Sequence, residues 1–200
     1  MNSFDVLIVG GGAAGMSCAL VLGSAKSKPF AADKKIGIVM HQKKSALAKG
    51  IFNNVLGIKQ GTSGWEILEK GKQQLAETYP HVVQIGDEKV IEIKGDAGNF
   101  TVVTDKNKYQ AKTIVIAVGP SRLFNIEGLN QYVQAHGKLP VAKKRIELKN
   151  TNQKIKEGIY VAGILAGWIS QFSIAAGSGA LVATDILKIW NDGSPTVIHD

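Results

Sequence analysis

Asp5 to Val9 is an unbroken apolar run ending at a glycine, the pattern of a strand buried on both faces and therefore of a parallel sheet. Gly10, Gly11 and Gly12 follow, and then Ala13 to Ser24, a stretch of good helix formers carrying small residues. Ile36 to Met40 is a second short apolar run, reached through a long polar connection from Ser24 to Lys35. Strand, glycine turn, helix and strand together make a βαβ unit. Farther on, Ser63 and Glu66 stand three apart ahead of Ile67, Leu68, Gly71 and Leu75 at helical spacing. This predicts a helix over residues 63–79, capped reciprocally by Ser63 and Glu66 and stopped by Pro80. From Val82 to Gln110 the period changes to two, and the runs VVQI, VIEI and FTVVT, separated by glycine-rich turns, predict a small antiparallel meander. Thr113 to Val118 is again a buried strand, returning to the parallel sheet before Gly119-Pro120. Gly158 to Gly163 reads as one more buried strand and Gln171 to Trp190 as a buried helix.

The expected fold is α/β: a Rossmann-like arrangement with a parallel central sheet and a small antiparallel β-meander. At 200 residues with 44% hydrophobic and 20% charged positions, the chain has material for one real core. One cysteine, Cys18, excludes an internal disulfide, a Cys-x-x-Cys pair and a cysteine-rich zinc site. It sits mid-helix and reads as a small core residue. A reducing, cytoplasmic setting suits it, and the opening MNSFDVLIVG has no basic region of the kind that begins a signal peptide. The uncharged stretch from Gly158 to Thr184 is long enough to cross a bilayer, but five glycines and Ser170, Gln171 and Ser173 divide it into strand, turn and helix. No membrane span is expected.

Net charge is +8, and residues 132–158 hold seven cations against Glu147 and Glu157, a surplus of five in one segment. Tyr132 is the one aromatic there, so bases would find little to stack on and nucleic acid is not the expected partner. The segment reads as a solvated polar connection, with binding of an anionic partner or cofactor tail as the other reading. Four scattered histidines without carboxylate spacing argue against a metal site. His136 has no Ser, Asp or Glu partner visible in the sequence.

Gly10-x-Gly12-x-x-Gly15 falls directly after a predicted strand and opens a helix. There the first glycine allows a tight turn, the second lets a pyrophosphate approach the backbone, and the third lets the helix pack on the strand. The free amides at the helix start, around Ala13 and Ala14, with the helix dipole behind them, then attract negative charge. The usual acid at the end of the second strand, which would hold ribose hydroxyls, is missing: Met40 and His41 stand there. Either the backbone at Met40 and the side chains of His41 or Gln42 hold the ribose, or the nucleotide binds more weakly. His41 also reads as an incidental surface histidine.

The order of these parts, VLIVGGGAAGMSCAL, IFNNVLG ahead of the capped helix, the meander, TIVIAVG, and GIYVAG followed by SQFSIAAGSGALVATDI, resembles the FAD-binding domain of thioredoxin reductase and related pyridine nucleotide-disulfide oxidoreductases. The resemblance implies FAD as cofactor, with Gly10, Gly12 and Gly15 at the pyrophosphate. It implies Asn54 near the flavin, the Val90 backbone at the adenine, and Ala117, Val118 and Gly119 passing close to the cofactor. Gly163 and Ile164 match a Gly-Asp pair that binds the flavin's sugar-like chain. Ser170, Gln171 and Phe172, followed by Ser173, match the turn whose amides face the pyrimidine edge of the flavin ring. Trp168 reads equally as a flavin cover or as packing.

Against that family, Met40 and Ile164 replace two acidic anchors. The 38 residues from Pro120 to Glu157 are too few for an inserted NAD(P) domain, and no Cys-x-x-Cys is present. The chain therefore divides as one FAD-binding domain over 1–200, with an FAD segment at 1–125, a short basic connection at 126–157, a second FAD segment at 158–190 and a tail at 191–200. The expected function is that of a flavoprotein oxidoreductase reduced by NAD(P)H or by a redox partner protein, its flavin face covered by a homodimer or by that partner. The alternative is a nucleotide-binding or regulatory module without turnover.

Overall fold

The computed structural model describes residues 2–41, 45–196 and 198. Strand β1 (Asn2–Val9) leads through the glycine turn into helix α1 (Ala13–Ser24) and on to β2 (Ile36–Met40). Two short strands, β3 (Ile51–Phe52) and β4 (Thr62–Ser63), pair antiparallel ahead of helix α2 (Gly64–Thr78). Then come β5 (Val82–Gly86), β6 (Val90–Asp96), β7 (Asn99–Thr104) and β8 (Lys108–Ile116). The basic segment holds β9 (Val133–Ala135), β10 (Ile146–Leu148) and β11 (Lys154–Lys156), and the chain closes with β12 (Ile159–Val161) and helix α3 (Phe172–Trp190).

The main sheet runs β11-β12-β8-β1-β2-β5, with β6 and β7 continuing from the first half of β8. β1 is parallel to both β2 and β8, and Val6, Leu7 and Ile8 have no exposed surface, as the unbroken apolar run requires. The two-residue period of the strand then sorts its side chains. Val6 and Ile8 enter the core beneath α1 and α3, while Leu7 and Val9 enter the core on the other face, with Phe100, Val102 and Leu148.

α1 and α3 lie against each other because both carry small residues where they meet. A Cβ on Gly179 would come within 1.9 Å of the Ala14 carbonyl oxygen. α3 is long and apolar enough to cross a bilayer by length and composition, but Val182, Ala183, Ile186 and Leu187 are buried in the domain core. Cys18 has no exposed surface, and burial pushes its thiol far above the ordinary range, as suits a core residue.

Three expectations need correction. The run VVQI is not part of the meander: as β5 it pairs parallel with β2 at the edge of the main sheet. Its alternation arises because one face packs inward while Val83 is 46% exposed on the other. The meander is β6-β7-β8, and its third strand is continuous with the parallel strand beside β1. Second, the Ser63 hydroxyl accepts from the Glu66 N–H at 3.1 Å, but the Glu66 carboxylate pairs with Lys70 at 2.7 Å instead of completing the capping box. Third, residues 133–156 are not a plain connection: β9 and β10 form an antiparallel hairpin, and β11 extends the main sheet against β12.

Candidate functional site

The C-terminal ends of β1, β2 and β8 open into a cavity of about 1060 Å³, ample for a dinucleotide, at the edge where ligands bind in open α/β sheets. The glycine turn forms one wall. Gly10 has φ +117°, and a Cβ there would lie 2.5 Å from the Ala117 carbonyl oxygen of the neighbouring strand end. Gly15 does not line the cavity but sits behind the turn, where a Cβ would come within 1.8 Å of the Gly10 carbonyl oxygen. Gly12 is different: it lines the cavity, and a Cβ there would meet nothing within 4 Å. As N-cap of α1 it offers no side-chain acceptor, so the first-turn amides at Ala13 and Ala14 on the cavity wall have no partner within the helix. An open cradle of glycine backbone at a positive dipole end fits a pyrophosphate.

The other walls gather most of the remaining predicted residues. Met40, His41, Asn54, Val90, Ala117, Val118, Gly119, Gly163, Ile164, Gln171 and Phe172 all line the cavity, coming from segments up to 132 residues apart. Ser173 does not line it, and Gln42 lies outside the described residues. Trp168 is not in the wall either; it is 37% exposed and its ring is covered by the Lys138 ammonium at 4.9 Å.

At the second helix start, Gln171 caps α3 with its own side chain, Oε1 accepting from the Ile174 N–H at 3.0 Å. Phe172, beside it, meets Phe52 edge-on at 5.6 Å, which fixes both rings in the wall. Gly163 has φ +76° and its N–H donates to the Ser178 hydroxyl at 2.8 Å. That hydroxyl is in turn bonded by the buried Gln153 amide at 2.6 Å, so α3 and the loop after β12 are tied together below the cavity.

Several site features were not visible in the sequence. Met40 does more than replace an acid: its side chain lies over the turn, so that a Cβ on Gly11 would be 2.5 Å from its Cγ. β5 ends beside β2, with Met40 paired to Gly86 and the Asp87 N–H donating to the Met40 carbonyl at 3.0 Å. Asp87, at φ +57°, therefore brings a carboxylate to the cavity wall beside the position where the fingerprint's acid is missing. Glu88 is buried and accepts from the Thr104 hydroxyl and the Asn107 amide, each at 2.7 Å, and from the Tyr109 hydroxyl at 2.9 Å. Burial pushes its carboxyl up, but these three donors outweigh it and hold it below the usual range.

His136 is the largest omission. It is buried, its Nε2–H donates to the Ile164 carbonyl at 3.0 Å, and its Nδ1 accepts from the Lys138 N–H at 3.2 Å. Those two bonds assign the neutral Nε2–H tautomer. The Glu147 carboxylate lies 3.6 Å from Nδ1.

The comparisons agree with this geometry. Residues 4–163 match the family model for pyridine nucleotide-disulphide oxidoreductases. The chain is 27% identical over 169 residues to a ferredoxin–NADP reductase of Streptococcus gordonii, covering 80% of this chain and 47% of that protein. A ferredoxin–NADP reductase of Streptococcus sanguinis is 28% identical over 142 residues, 66% of this chain and 41% of that one. The chain thus spans about half the length, or less, of the curated relatives it matches. Among solved structures, a thioredoxin reductase from Gloeobacter violaceus aligns with TM-score 0.73 at 16% identity, covering 100% of this chain and 99% of that one. A ferredoxin-flavin thioredoxin reductase from Clostridium acetobutylicum aligns at 0.68 and 18%, covering 96% and 99%. At those identities the structures speak for the fold alone. The family match spans most of the sequence, and the glycine cradle fits the cofactor that its members share: the chain belongs to the pyridine nucleotide-disulphide oxidoreductase family, whose cofactor is FAD.

Proposed function

We propose that this protein is an FAD-dependent oxidoreductase of the thioredoxin reductase and ferredoxin–NADP reductase type, reduced by NAD(P)H or by a redox protein. The observation that carries the reading is a single cavity with the glycine turn on one wall and the start of α3 on another. FAD, when bound, supplies the acceptance and release of electrons. The chain's own residues position it. Gly12, Ala13 and Ala14 offer backbone amides to the pyrophosphate, with Gly10 and Gly15 holding the turn closed. Asp87, beside Met40, takes up ribose hydroxyls in place of an acid at the end of β2. Val90 meets the adenine, and Asn54, Ala117, Val118, Gly119 and the Gly163–Ile164 backbone flank the flavin half. The dipole end of α3 at Gln171–Phe172 stabilises the negative charge that reduction places on the flavin ring.

The thiol chemistry of thioredoxin reductases is outside this chain's own means, since Cys18 is its one cysteine and is buried in the core. A flavin face left open on one side needs a cover, for which we propose a homodimer or the redox partner, in a reducing cytoplasm. Anaerobic titration with NADH and NADPH, followed by the bleaching of the flavin band, tests the activity. A holoprotein inert toward both and toward redox proteins would instead support a regulatory module without turnover, the reading favoured by Met40 and Ile164 where the family resemblance implies acids.

A further inference from the structure

The hairpin β9-β10 and its loop, residues 133–149, carry Lys138, Lys143, Lys144, Arg145 and Lys149, all exposed. None of the five has an ion-pair partner among the described residues. Glu147 is the one acid of the segment, and it faces inward: its Oε1 accepts from the Gln134 amide at 2.8 Å and its Oε2 from the Gly137 N–H at 3.2 Å. The outward field of the loop is therefore of one sign.

The hairpin is fastened to the cavity rim at two points: His136 holds the Ile164 carbonyl, and the Ile146 N–H donates to the Pro120 carbonyl at 3.3 Å. Leu148, fully buried in the core, holds the hairpin to the domain. Ile164 and Pro120 both line the cavity. Val141, 91% exposed, lies in the same loop as Lys138, Lys143 and Lys144, and Leu123, 81% exposed, is itself a cavity-wall residue. A loop that served only solubility would not need this anchorage, nor an exposed apolar side chain.

We infer that the hairpin loop is a docking surface, at the mouth of the flavin cavity, for a small acidic electron-carrier protein. This rests on the flavin reading given above and adds to it where the partner binds. Exposed cations without ion-pair partners, in one loop with an exposed apolar side chain, are the complement of an acidic protein surface, which they steer and orient more than they tighten. A nucleic acid is the poorer fit, because the nearby ring, Trp168, is already covered by Lys138.

The test uses the FAD-loaded full chain and, as probe, an oxidised acidic iron–sulfur ferredoxin, with binding measured by calorimetry. The comparison variant is K143Q/K144N/R145Q/K149Q; asparagine is chosen at 144 because that residue has φ +46°, which Asn tolerates. None of the four touches the cavity, so flavin content stays at the wild-type level and reports folding. Ferredoxin binding that weakens about tenfold in the variant, and by a similar factor between ~0.05 M and ~0.3 M salt, supports the surface. Ferredoxin that fails to bind, or binds the variant equally well, overturns it. So does single-stranded oligothymidylate bound more tightly than ferredoxin. If the variant does not fold, the salt titration of the wild type decides alone. A colourless chain that still binds ferredoxin through these cations would refute the flavin reading and leave the docking surface standing; a yellow chain that does not bind would do the reverse.

Discussion

Gly12→Ala separates cofactor binding from folding. Gly12 has φ −80° and ψ −171°, which alanine adopts without strain, and its added methyl would meet nothing within 4 Å. Two small effects on stability oppose each other. Loss of backbone freedom in the unfolded chain stabilises by about 0.4–1 kcal/mol, and exchange of glycine for alanine at an N-cap costs a comparable amount. The apoprotein should therefore unfold within about 1 kcal/mol of wild type. The same methyl occupies the space in which the pyrophosphate approaches the backbone. Displacing a phosphate from even one good amide contact, a charge-assisted bond worth about 1.5–3 kcal/mol, corresponds to roughly ten- to hundredfold in affinity. Gly15→Ala is the contrasting control: its Cβ would sit 1.8 Å from the Gly10 carbonyl oxygen, so α1 must move off β1 and the apoprotein itself loses several kcal/mol, about 3 as a working figure. Urea unfolding of the apoproteins and FAD titration by flavin fluorescence measure the two quantities independently. A Gly12→Ala protein that binds FAD at wild-type strength would refute the placement of the pyrophosphate at this turn.

Other predictions follow from single contacts. Asp87→Asn weakens FAD binding about tenfold, the scale of one hydrogen bond to a charged group; equal affinities would remove Asp87 from the ribose site. His136→Leu leaves the Ile164 carbonyl and the Lys138 N–H without their partner, and costs about 1–3 kcal/mol in thermal or urea unfolding together with a drop in FAD affinity. On the acid side of the stability profile, His81 and Glu88 contribute with the same sign. Burial lowers His81, whose Nε2 lies 3.0 Å from the Gly23 carbonyl, so its contribution is present above its ordinary value of 6.5 and is lost as pH falls through the lower folded value. Glu88, held below its ordinary 4.5, adds stability above that pH which disappears at still lower pH. In Glu88→Gln the unfolding free energy should be lower at neutral pH, and its decline below pH 4.5 shallower, than in wild type; an unchanged acid limb would contradict the assignment.

How much of this could be read from the sequence depends on how local each signal is. β1, the glycine turn and α1 are contiguous, and their logic of apolar run, three glycines and helix formers is complete within residues 5–24. α1 was legible to the residue and β1 at its end, though β1 starts at Asn2, ahead of the expected Asp5; α3 ends at the expected Trp190, and Gln171 is its cap instead of its first residue. β5 was misassigned because an edge strand of a parallel sheet alternates like a hairpin strand, and only the α2 crossover reveals where it pairs. The hairpin β9-β10 was hidden for a related reason: three-residue strands are too short to carry a period. The contacts that shape the site join distant residues, such as His136 with Ile164, 28 positions apart, and Glu88 with Tyr109, 21 apart. Asp87 became a candidate only when the register of β5 against β2 placed it beside Met40. The carboxylate that reaches the cavity wall there comes just after the adjacent strand β5, a placement no one-dimensional pattern carries.

The central claim is that this chain by itself builds a complete FAD site. The measurement that tests it most directly is a titration of the purified, flavin-stripped protein with FAD, read by the flavin's visible absorption and by calorimetry. The account predicts saturable binding of one FAD per chain, with a perturbed flavin band and raised thermal stability, and loss of that binding in Gly12→Ala. A folded protein that stays colourless and gains no stability at saturating FAD would contradict it.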